Sequence, residues 1–86
     1  MVCRYTFKIR AVCPADGSAD VYQVTVTSAE IIRCEKLIAI AAGYAGMAIY
    51  QEVLTNELAS ALKCSVRTTG YHCDEEVFVE VEAEAG

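Results

Sequence analysis

The chain has 86 residues, enough for one domain with a small core. Twelve Asp and Glu against seven Lys and Arg leave a net charge of −5, which disfavours a protein that grips nucleic acid through phosphates with a basic face. Apolar residues make up 55% and proline occurs once, excluding a disordered chain. No twenty-residue apolar span is present and the opening Met-Val-Cys-Arg-Tyr is not that of a signal peptide. The expectation is a soluble, cytoplasmic domain over residues 1–86 with no membrane partner.

Residues 3–12 alternate, with Cys3, Tyr5, Phe7, Ile9 and Ala11 on one side and Arg4, Thr6, Lys8 and Arg10 on the other. This is a half-buried strand. The stretch Cys13-Pro14-Ala15-Asp16-Gly17-Ser18-Ala19-Asp20 follows. Its Pro, Gly and Asp favour a reversal. Tyr22, Val24 and Val26 then alternate with Gln23, Thr25 and Thr27, a second strand joined to the first as an antiparallel hairpin.

The period changes next. Thr27 and Glu30 have capping-box spacing, and Ile31, Cys34, Leu37, Ile38 and Ala41 recur at helical intervals. Gly43 and Gly46 predict a break between helices, one long kinked helix being the alternative. A second helix is expected from Met47 to Lys63, with Met47, Tyr50, Leu54, Leu58 and Ala61 as its apolar stripe. Ser65–His72 reads as a strand and Cys73-Asp74-Glu75 as a turn. A last strand over Glu76–Glu84 sets Val77, Val79, Val81 and Ala83 against Phe78 and the glutamates.

The order ββααββ predicts an α+β domain, a four-stranded antiparallel sheet with two helices on one face. Arg4, Lys8 and Arg10 on the first strand and Glu80, Glu82 and Glu84 on the last would attract one another across subunits if those strands are the edges. A head-to-tail homo-oligomeric ring is the expectation, two solvated charged faces the alternative. The five cysteines, Cys3, Cys13, Cys34, Cys64 and Cys73, are odd in number and none are spaced C-x-x-C. Neither a metal site nor a disulfide framework is expected. His72 and Cys73 are the only neighbouring ligand types, and adjacent residues on a strand would point to opposite faces, making them poor partners.

Order and spacing together resemble the tunnelling fold, shared by GTP cyclohydrolase I, pyruvoyl-tetrahydropterin synthase and the deazaguanine nitrile enzymes. Within that set, Cys13, Pro14, Gly17 and Asp20 resemble the signature C-P-x-[ST]-G-x-x-D of the 7-cyano-7-deazaguanine reductase family, departing only at Asp16. Ile49-Tyr50-Gln51-Glu52 resembles the family's apolar-aromatic-His-Glu opening of the second helix, with Gln51 in place of the histidine. The family's nicotinamide-binding segment has no counterpart around Ser28–Ile40. In this the chain is most similar to the family's short relatives, the archaeosine-forming amidinotransferases, which do not use NADPH.

The resemblance implies that Cys13 adds to the nitrile of 7-cyano-7-deazaguanine as a covalent thioimide, a thiolate being a far better nucleophile than water or ammonia. Asp20 would hand a proton to the nitrile nitrogen and later recover one. Glu52 would anchor the ring N–H and amino group of the base, free or within a nucleic acid, and Gln51 would add a hydrogen bond. Ammonia would then give an amidine; with NADPH as cofactor, hydride would give an amine. A non-catalytic tunnelling-fold binding or assembly protein is the third possibility. The residues themselves leave plainer roles open: a structural Cys13, an Asx turn closed by Asp20, and a solvated Glu52. His72 reads as a strand residue with its ring hydrogen-bonded, and Tyr50 as core.

Overall fold

The structure, a computed structural model, describes residues 1–85. Its elements are β1 (Cys3–Val12), β2 (Ala19–Ser28), α1 (Cys34–Tyr44), α2 (Gln51–Leu62), β3 (Ser65–His72) and β4 (Val77–Ala83). The four strands form one antiparallel sheet in chain order, so β1 and β4 are its edges. Helix α1 packs on β1, and α2 on β3 and β4. The expected α+β arrangement is thus the observed one.

Register explains the core. Phe7 lies opposite Val24, Val24 opposite Thr68, and Thr68 opposite Val81, one inward row across all four strands. Ile9, Tyr22, Val24, Val26 and Val66 are buried on this face and meet Leu37 from α1 and Leu54, Leu58 and Leu62 from α2. A Cβ on Gly70 would lie 2.6 Å from Cδ1 of Tyr22 and 2.9 Å from its Cε1. Position 70 is therefore glycine because the Tyr22 ring lies across the β3 backbone. The outward face carries Arg4, Lys8 and Arg10 at one edge and Glu80 and Glu82 at the other, with Arg67 Nη1 3.3 Å from Glu80 Oε1 between them.

The start of α1 differs from the capping-box expectation. Strand β2 runs on through Ser28, which pairs with Cys3, so Thr27 is a strand residue. Ser28 Oγ accepts from the Glu30 amide (3.0 Å) and donates to the Glu30 carbonyl (2.8 Å), closing a local turn instead of a helix cap. The Ile32 amide donates to the Tyr5 hydroxyl (2.9 Å), and α1 begins at Cys34 with no side-chain cap. It buries Leu37 and half-buries Ile40, Ala41 and Tyr44, whereas Ile31, Cys34 and Ile38, expected inward, are exposed. The inward stripe is displaced because the helix starts three residues after Ile31.

The break between helices is real, but the link is not the start of α2. The Gly46 amide donates to Arg10 O (2.9 Å), the Val12 amide to Met47 O (2.9 Å) and the Ile49 amide to Val12 O (3.2 Å). These bonds cover the free edge of β1 at its end and hold Met47 and Ala48 extended, so α2 begins at Gln51. Its buried residues are Gln51, Leu54, Thr55, Leu58, Ala59 and Leu62; Met47, Tyr50 and Ala61, expected in the stripe, are exposed. No helix among the described residues is long and apolar enough to cross a membrane.

Candidate active site

At one end of the sheet, the β1–β2 loop, the end of β3 and the start of α2 come together. The loop is held by its own hydrogen bonds: the Cys13 amide donates to Ser18 O (2.8 Å) and the Gly17 amide to Cys13 O (2.8 Å). Gly17 has φ of 75°, a backbone conformation that a side chain disfavours. Asp16 Oδ1 accepts from the Ser18 amide (2.9 Å) and from Ser18 Oγ (2.7 Å). The Asx turn that Asp20 could have closed is thus closed by Asp16. These two Ser18 bonds, and a further one from the Cys13 thiol, hold the Asp16 carboxyl below its ordinary value.

Asp20 instead lies within β2, 7% exposed. Two residues along the same face of the strand, the Tyr22 hydroxyl donates to Asp20 Oδ2 (3.0 Å). Burial, the Asp20 hydrogen bond and the charges of Asp20, Cys13 and Glu52 push the Tyr22 hydroxyl well above its ordinary value. It therefore keeps its proton and remains the donor.

The Gly46–Ile49 link sets the N-terminus of α2 beside this loop. Gln51, 1% exposed, is the first residue of the helix and directs its amide inward. Its Nε2 donates to Thr68 O (3.2 Å), Thr68 Oγ1 (3.1 Å) and Val79 O (3.0 Å), and its Oε1 lies 2.7 Å from His72 Nε2. Thr55 Oγ1 lies 2.7 Å from Thr68 Oγ1 and completes the buried polar network. His72 is the expected hydrogen-bonded strand residue, its ring 5.8 Å from that of Tyr22. Glu52 is exposed in the first turn of α2, where the helix dipole favours a carboxylate. Tyr50, expected in the core, is 56% exposed because it precedes the helix on extended backbone.

Cys13, Asp20, Gln51 and Glu52 line one cleft of about 190 Å³, joined there by Tyr22 and His72. A half-buried thiol, a buried carboxylate and a more exposed one thus share a single small cavity. Such a set can supply a nucleophile, a proton donor or acceptor, and an anchor for paired N–H donors. Tyr22 was legible only as an inward strand position. The Asp20-x-Tyr22 spacing, two residues on one face of a strand, is the signal that would have joined it to the site. All five cysteines are free, and among the described residues no group of three His, Cys, Asp or Glu side chains is placed to hold a metal ion.

No protein-family profile matches the sequence, and no curated protein matches it. Among solved structures, the chain is similar to the crystal structure of the archaeosine synthase QueF-Like in the apo form. The TM-score is 0.87 at 24% identity, covering 99% of this chain and 94% of that one. At this identity the likeness establishes architecture: the chain has the ββααββ fold of that synthase.

Proposed function

We propose that the chain is a nitrile-processing enzyme acting on 7-cyano-7-deazaguanine. The observation that carries this reading is the convergence of Cys13, Asp20 and Glu52, from a loop, a strand and a helix, on one cleft. The thiolate of Cys13 adds to the nitrile carbon, and Asp20 gives a proton to the nitrile nitrogen, leaving a thioimide. Ammonia then attacks that carbon and loses a proton to Asp20. The carbon–sulfur bond breaks, releasing an amidine and the Cys13 sulfur. Glu52 binds the ring N–H and amino group of the base through its two oxygens. Gln51 shapes the cleft wall from inside, its amide engaged with Thr68, Val79 and His72.

Cleft size and charge bear on the substrate. About 190 Å³ is below the range of roughly 300–1,000 Å³ common for drug-sized ligands, and suits one flat heterocycle with any sugar left outside. The net charge of −5 favours the free base over a nucleic acid. The similarity in fold to a synthase named for archaeosine supports a nucleobase-like substrate and an enzymatic role. Intact mass after incubation with the cyano base tests the reading: an adduct that is absent in Cys13→Ala supports it. Ammonia should release the adduct as amidine, and NADPH should leave it unchanged; amine formation with NADPH would make the chain a reductase.

The assembly proposed with it is a ring in which the basic β1 edge of one subunit meets the acidic β4 edge of the next. Only the part of β1 before Arg10 is free for this, the rest being covered by the Gly46–Ile49 link. A monomer at every salt concentration, measured by light scattering, would rule it out.

A further inference from the structure

The thiol must lose its own proton before it can attack, and Asp20 is engaged with the nitrile nitrogen in that step. Two other groups can accept a proton: Asp16, which the Cys13 thiol hydrogen-bonds, and His72, which lines the same cleft as Cys13. Asp16 is a poor acceptor. It receives the Cys13 thiol as well as two hydrogen bonds from Ser18, and together these hold its carboxyl below its ordinary value, which makes it a weak base.

His72 is different, because the surrounding network fixes which of its nitrogens is open. Thr68 O and Val79 O are backbone carbonyls and can only accept, so the Gln51 atom facing them is its NH₂. The Gln51 atom facing His72 is then the carbonyl oxygen, which also can only accept. His72 Nε2 must therefore carry a hydrogen. Nδ1 is left as the ring's acceptor nitrogen. Among the described residues no protein hydrogen bond reaches it and no buried side-chain nitrogen lacks a partner, so it is open to solvent in the cleft. Gln51 accepts from Nε2–H whether the ring is neutral or charged, so a proton can arrive at Nδ1 without breaking this contact. The ring lines the same small cleft as the thiol.

We infer that His72 is the base of this cleft: Nδ1 takes the proton of the Cys13 thiol, and the imidazolium returns it to the sulfur when that sulfur leaves. This rests on the reading of Cys13 as the nucleophile. The proton balance closes, since His72 gains and returns one while Asp20 gives and recovers one. Gln51 is a positioning residue that acts through His72.

The test uses alkylation rather than the nitrile, so its failure is distinct from failure of the substrate assignment. The folded chain is treated with iodoacetamide at pH 7, and each cysteine is followed by peptide mass. In His72→Asn, Cys13 should react about tenfold or more slowly. Exposed Cys34 and half-buried Cys64 should keep their rates. A merely structural His72 gives the opposite sign, because a loosened fold exposes Cys13 and Cys64 and speeds both. Unchanged or faster Cys13 alkylation in His72→Asn overturns the inference. So does a slowing of equal size in Asp16→Asn, which would make Asp16 the base. His72 is the only histidine, so its ring ¹⁵N signals need no assignment. They should show hydrogen on Nε2 and should shift in Cys13→Ala; hydrogen on Nδ1 alone, or signals indifferent to Cys13, would refute it.

Discussion

Gly70→Ala is expected to destabilise the domain through one side chain, Tyr22. The new Cβ would fall 2.6 and 2.9 Å from two carbons of the Tyr22 ring. Carbon atoms rest about 3.5–4.0 Å apart, so ring or strand must move by roughly an ångström. Overpacking of this kind costs about 1–3 kcal/mol. Relief of glycine's chain entropy in a strand returns about 0.5–1 kcal/mol. The net loss is about 1–2 kcal/mol, and for a domain of this size each kcal/mol lowers Tm by roughly 4–8 °C. Thermal unfolding of a double-mutant cycle isolates the cause. In a Tyr22→Leu background, which lacks the ring, Gly70→Ala should be neutral or stabilising. Equal losses in both backgrounds, or a higher Tm for the single Gly70→Ala variant, would refute the assigned contact.

Tyr22→Phe keeps the ring but removes the donor to Asp20, leaving a buried carboxylate oxygen unpaired. The expected cost is about 1–3 kcal/mol in chemical denaturation, and an unchanged midpoint would contradict the bond. At the β3–β4 turn, where the Glu76 amide donates to Cys73 O (3.1 Å), Asp74 and Glu75 have φ of 55° and 67°. Cys73 shares this left-handed backbone, with φ of 55°. Asn and Gly tolerate it better than Asp and Glu, so Asp74→Asn with Glu75→Gly should stabilise by about 1 kcal/mol. A lower denaturation midpoint would show that the turn is shaped otherwise.

The parts of the fold legible in the sequence are those set by strict periods. Tyr5, Phe7, Ile9 and Tyr22, Val24, Val26 point inward as alternation requires, and Leu54 and Leu58 as helical spacing requires. Termini were not legible, because they depend on partners distant in sequence. Thr27 and Glu30 satisfy capping-box spacing, yet pairing with β1 keeps the chain extended to Ser28. Met47 continues an apolar stripe on paper, yet its carbonyl is taken by Val12 of β1. Of the site, the Cys13–Asp20 spacing and the Glu52 position were visible as a motif, and one cleft holds all three. The Gln51–His72 contact spans 21 residues and carries no local pattern. Only the fold, with β3 beneath the start of α2, brings that pair to the cleft.

The central claim is that Cys13 is the nucleophile of this cleft. Intact mass spectrometry of the chain with 7-cyano-7-deazaguanine tests it most directly. The expected spectrum contains a species heavier by one molecule of the base, lost in Cys13→Ala and discharged by ammonia. A spectrum without adduct at any substrate concentration, or an adduct that persists in Cys13→Ala, would contradict it.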